Sequence, residues 1–121
     1  MNSSIIFKHL LPQLDFDREV FWVVGLNASK EIFCSRQLFS GTVNKCVVYP
    51  REIFRYALLQ NADEIAIAHT HTTTDISPSK KDLELTARLR MQSEWLDIKI
   101  VDHLIISKNH DYFSFFDKGL L

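Results

Sequence analysis

The chain has 121 residues, of which 46% are hydrophobic and 24% charged, and its net charge is −1. That length suits one compact domain and not two, and the near-zero charge, with no long block of one sign, argues against a dedicated electrostatic binder of nucleic acid. Only three glycines and three prolines, and no apolar run approaching about 18 residues, exclude a low-complexity chain and a transmembrane helix.

Ile5, Ile6 and Phe7 are followed at once by Lys8 and His9, which is not the pattern of a signal peptide. Cys34 and Cys46 form no metal-spaced pair and read as reduced thiols. A cytoplasmic protein with no membrane association is expected. Residues 3–14 predict a short helix ending near Pro12. Glu19 opens the apolar run Val20 to Leu26, a buried strand. Asn27-Ala28-Ser29-Lys30 is turn chemistry, and Glu31 to Phe39 is the return strand of a hairpin. Ser40-Gly41-Thr42 breaks it, and Val43 to Tyr49 reads as a third strand.

Pro50 suits the first position of a helix, and Ile53, Phe54, Ala57 and Leu58 recur at helical spacing through Gln60. Ile65 to Ala68 is a short buried strand that delivers His69. Ser77-Pro78-Ser79 predicts a cap at Ser77, proline at the first helical position, and a helix carrying Leu83, Leu85, Leu89 and Trp95. Ile98 to Ser107 is a strand, residues 108–111 a turn, and Tyr112 to Phe116 a last strand. The order β-β-β-α-β-α-β-β predicts an α/β sandwich with a mixed central sheet and helices on its faces, formed by residues 1–121, with 1–16 as an N-terminal extension.

The chemistry concentrates in His69 to Asp82. His-x-His at a strand end puts both imidazoles on one side of the backbone, because the strand period is two. Ser79 and Asp82, three apart at a helix start, share a face. Thr72 to Pro78 is short enough to hold Asp82 near the histidines. Two imidazoles and a carboxylate make a hydrolytic zinc site with one position open to water, so His69, His71 and Asp82 are the candidate ligands and Zn²⁺ the cofactor. Such a site still needs a carboxylate to carry a proton, for which Glu19 is the candidate, although spacing alone does not assign it. Ser79 is positioned to donate to a developing oxyanion.

The order of a distant Glu, His-x-His, seven residues, Ser, two residues and Asp resembles the JAMM metallopeptidase motif. Gly41 to Asn44, Pro50 to Phe54, Ala57, the run to His69, Pro78-Ser79, Asp82, Thr86, Val101 to Ile106, Ser114-Phe115 and Gly119-Leu120-Leu121 are similar to the RadC family, from about Asp17 onward. The resemblance implies an MPN (JAMM) fold related to the cytidine-deaminase architecture. It implies zinc at His69, His71 and Asp82, with Glu19 as general acid/base and Glu52 as second choice. Its implied substrate is a peptide or protein, with ubiquitin-like C-termini among those cut by JAMM relatives. RadC members usually read His-Asn-His-Pro-Ser-Gly, whereas this chain reads His69-Thr70-His71-Thr72-Thr73-Thr74, so the loop after the second histidine is shaped differently. Longer RadC members carry an N-terminal helix-hairpin-helix segment; a DNA-binding role by that route is not expected here.

Asp102 and His103 are strand neighbours and point to opposite faces, so only one of them is placed to orient a metal-bound histidine. His9 and His110 read as solvated. Phe21, Trp22, Phe113, Phe115 and Phe116 read as packing residues and not base-stacking platforms. Against a hydrolase of peptide or isopeptide bonds stand two alternatives. One is a DNA-repair-associated nuclease, which a basic surface around Arg51, Arg55, Lys80, Lys81, Arg88 and Arg90 would favour but which lacks a second carboxylate cluster. The other is a non-catalytic DNA- or protein-binding module. A zinc nucleoside deaminase is rejected, since it needs His-x-Glu and Cys-x-x-Cys. An open sheet edge suggests a homodimer or an added peptide strand.

Overall fold

Strand β1 (Val20–Leu26) is apolar at every position because both its faces are covered. Val20, Trp22, Val24 and Leu26 pack on one side with Ile6 and Leu10, and Phe21 and Val23 pack on the other with Ile53, Ala57 and Leu89. The computed structural model describes residues 2–41 and 47–121. Its elements are α1 (Ser3–Leu10), β1, β2 (Ile32–Ser40), α2 (Pro50–Leu59), β3 (Glu64–His71), α3 (Lys80–Leu96), β4 (Lys99–Ser107) and β5 (Tyr112–Ser114). The sheet order is β2-β1-β3-β4-β5. Only β3 and β4 are parallel, joined by the α3 crossover; the other pairs are antiparallel. The expected mixed α/β sandwich is present.

Four local expectations are corrected. Residues 3–14 are not one helix: α1 stops at Leu10 and a 3-10 turn, Leu11–Gln13, follows. Residues 47–49 form no strand. Tyr49 is extended, as a residue before proline tends to be, but among the described residues it pairs with no strand. The rest of that expected strand, 43–46, lies outside the described residues, as does Cys46. Helix α3 begins two residues later than Pro78 suggests, because Ser79 and Asp82 form a reciprocal capping box while Asp75 takes the Ser77 N–H. Strand β5 ends at Ser114, since the Phe116 N–H bonds the Asp102 carboxylate at 3.0 Å and not a neighbouring strand.

The N-terminal segment is part of the core. Ile6 and Leu10, one helical turn apart, are fully buried. His9, expected in solvent, bonds Ser35 Oγ at 2.9 Å, whereas His110 is exposed. Phe21, Trp22 and Phe115 are buried as packing residues, while Phe116 is exposed. No helix among the described residues is long and apolar enough to cross a membrane.

A β-bulge in β4 sets the face of everything after it. Ile65 pairs with Ile100 but Ala66 pairs with Asp102, so Val101 is the extra residue. Beyond it, His103 pairs with Ile67 and faces the α2/α3 side with His69. Asp102 is left facing away.

Candidate metal centre

His69 and His71 end β3, and Asp82 occupies the first turn of α3. His69 Nε2 lies 3.2 Å from His71 Nε2 and 3.2 Å from Asp82 Oδ1. His71 Nε2 is 3.5 Å from Asp82 Oδ2. One ligand atom from each of the three residues lies within 4.8 Å of the others, so the group could hold a metal ion.

Hydrogen bonds behind the histidines fix which nitrogen faces inward. Thr86 has one hydroxyl hydrogen, and it donates to the Asp82 carbonyl at 2.8 Å. The Thr86 oxygen therefore accepts from His103 Nδ1–H at 2.6 Å. His103 Nε2 is then an acceptor and takes the His69 Nδ1–H at 2.9 Å. That leaves the His69 Nε2 lone pair pointing at Asp82. His71 reaches the same state by donating Nδ1–H to the Asp75 carbonyl at 2.8 Å. This is the outer-partner arrangement typical of metal-bound imidazoles. His103 and Thr86 are buried, so the relay is shielded from water. Burial and the neighbouring His69 hold His103 well below the ordinary imidazole range, which keeps it neutral.

Two imidazole lone pairs and a carboxylate thus converge with no donor among them. Only a proton or a metal cation satisfies such a set. Nitrogen, nitrogen and oxygen donors suit a transition metal with a coordination position left open. Without metal, a proton takes the place: the Asp82 hydrogen bond raises His71 against the opposing effect of burial. Burial would raise the Asp82 carboxyl, but the imidazoles of His69 and His71, donating to it when they carry that proton, hold it well below the usual carboxylate range.

Glu19 comes to the site across fifty residues of sequence. The hydroxyl of Thr70, the residue between the two histidines, accepts the Val20 N–H at 2.9 Å and donates to the Arg18 carbonyl at 3.3 Å. Thr70 thereby clamps the backbone on both sides of Glu19. Glu19, Ser79, His69, His71 and Asp82 line one cavity of about 640 Å³. Burial raises the Glu19 carboxyl, and His69 and His71 partly pull it back. Glu52 is elsewhere, in the first turn of α2, with Arg51 Nε 4.0 Å from its carboxylate.

The structure separates the two strand neighbours. His103 touches His69, but Asp102 does not: it accepts from Ser114 Oγ at 2.6 Å, Phe116 N at 3.0 Å and His103 N at 2.7 Å. Sequence reasoning missed Thr86 and Asp75 as supports. Thr86 carried a signal, since it lies four residues after Asp82 on the same helix face. Asp75 also builds the loop that lacks the usual Pro and Gly, its carboxylate accepting the Ser77 N–H at 2.8 Å.

Residues 1–120 match the family described as the RadC-like JAB domain. The chain belongs to the RadC family. The JAB domain is 36% identical over 121 residues to UPF0758 protein FN0909 of Fusobacterium nucleatum, covering 99% of this chain and 52% of that protein. It is 38% identical over 112 residues to UPF0758 protein YeeS of Escherichia coli K12, covering 93% of this chain and 75% of YeeS. A UPF0758 protein of Actinobacillus pleuropneumoniae is 41% identical over 99 residues, with 82% of this chain and 44% of that protein covered. The JAB domain thus spans about half the length of the Fusobacterium and Actinobacillus relatives.

Proposed function

We propose that this JAB domain is a zinc-dependent hydrolase of peptide or isopeptide bonds. The observation that carries the reading is the convergence of His69 Nε2, His71 Nε2 and Asp82 as lone-pair donors, with both imidazoles fixed from behind, next to the half-buried carboxyl of Glu19. Zinc held by these groups supplies a Lewis acid and acidifies water towards neutral pH. Glu19 takes a proton from the attacking water and delivers it to the leaving nitrogen. Its raised pKa suits both steps, because a carboxyl shuttles protons best when its pKa approaches the working pH. Ser79 Oγ accepts the Asp82 N–H at 3.1 Å, which fixes the hydroxyl at the cavity wall, where its hydrogen would stabilise charge on the carbonyl oxygen.

Elemental analysis of the wild type and of the His69→Ala/His71→Ala double variant tests the reading. One zinc per chain, lost in the double variant, is expected. Glu19→Gln is expected to keep the zinc and lose turnover of a panel of peptide and isopeptide substrates. A wild-type protein that takes up no metal from excess zinc would overturn the proposal.

A further inference from the structure

A smaller recess of about 190 Å³ adjoins the metal-binding group. Its polar wall is Glu19, His69 and Asp82, and its floor is Phe21, Val48 and Leu85. The exposed Lys81 stands at its rim.

The floor is built in register with the site. Phe21 follows by two residues Glu19, which immediately precedes β1, and it pairs directly with His69 across the sheet. Its ring lies nearly parallel to the His69 imidazole, 8° between planes and 6.3 Å between centroids. Leu85 follows Asp82 by three residues, so the two share a face of α3. Any group held between Asp82 and the histidines therefore has its neighbouring atoms over this apolar floor. Val48 and Leu85 are half-buried, so they keep apolar surface that a ligand can cover. The volume equals roughly six water molecules, room for one branched side chain but not for a chain segment. Covering apolar surface favours an apolar occupant, and the Glu19 and Asp82 carboxylates repel an acidic one.

We propose that this recess is a specificity subsite for one medium-sized apolar side chain, of the Leu, Ile, Val or Met class, on a peptide residue adjoining the scissile bond. It rests on the metal-hydrolase reading and narrows it. A glycine at that position leaves the recess empty, so a peptide with a branched apolar residue there is preferred over a glycine-ended tail.

Calorimetric titration of the zinc-loaded chain with glycine hydroxamate and leucine hydroxamate tests this, because the two probes share a metal-binding head and differ by one isobutyl group. Leucine hydroxamate is expected to bind about tenfold tighter or more. Leu85→Phe, and independently Val48→Phe in case the first disturbs α3, fill the recess and are expected to bring the two affinities together, with thermal melting confirming the fold. Equal affinities in the wild type overturn the subsite while leaving the metal site standing. Failure to take up zinc, or to bind either probe, overturns the hydrolase reading and the subsite with it.

Discussion

Two carboxylates are held on opposite faces of the same sheet, and the molecule treats them in opposite ways. Asp102, 2% exposed, is met entirely by donors: the Ser114 hydroxyl and the N–H groups of Phe116 and His103. Its network is closed, and it ties β4 to β5 and the C-terminal turn. Asp82 also takes one backbone N–H, from Ser79 at 2.8 Å, but its other neighbours are the Nε2 atoms of His69 and His71. Its network lacks a positive charge and opens onto a cavity. A buried carboxylate whose lone pairs meet donors stabilises the fold. One that meets other lone pairs could hold a cation.

Breaking the closed network should cost the most stability. Asp102→Ala leaves two N–H groups and a hydroxyl without their acceptor, and is expected to lower unfolding free energy by about 3 kcal/mol in urea titrations. The folded fraction should retain its metal. Asp82→Asn makes the converse change. Its folded protein should melt cooperatively, with metal affinity reduced by about a hundredfold or more in competition with a chelator.

Thr86→Val keeps the side-chain shape but removes the hydroxyl that fixes His103 and, through it, His69. Metal affinity should fall about 10–100-fold, although Thr86 is not a ligand. An unchanged affinity would mean that His69 holds its tautomer without the relay.

Acidity should separate the metal-free and metal-loaded forms. The His71 pKa is raised in the folded, metal-free protein, chiefly by Asp82. The stability contributed by that pairing is full below the unfolded value of 6.5 and is lost as pH rises through the raised folded value. Metal must displace the same proton, so its affinity should fall about tenfold per pH unit below the raised value. As pH falls through this window, melts without zinc should therefore rise while melts at saturating zinc stay level, so that the gain from zinc shrinks; below 6.5 the zinc-bound form should lose stability as the unfolded histidine takes up a proton. The smallest effect belongs to Ser79→Ala, which removes half of the capping box and should cost about 1 kcal/mol.

The strands carrying the site were legible because their apolar runs are long and covered on both faces, as with Val20–Leu26 and Glu64–His71. The start of α3 was misread because proline marks a helix start only when no stronger cap competes, and the Ser79–Asp82 pair lies two residues further on. Residues 47–49 were misread because an apolar, extended stretch looks the same whether or not a partner strand bonds to it. In the site, His69, His71 and Asp82 could be grouped from local spacing, since strand and helix periods fix which neighbours share a face. The position of Glu19 could not be read from spacing. It depends on the pairing of β1 with β3 and on the Thr70 clamp.

By itself, then, the sequence determined a mixed α/β sandwich and a local His-x-His and Asp group, because backbone periodicity and burial of apolar runs are local properties. Tertiary structure alone decided which of Asp102 and His103 touches His69. Counted two residues on from Ile100, which packs on the α2/α3 side, Asp102 would share that face. The extra residue Val101 reverses the alternation, turning His103 towards His69 and Asp102 towards Ser114. A bulge is a mismatch between two paired strands, so it exists only once they have paired.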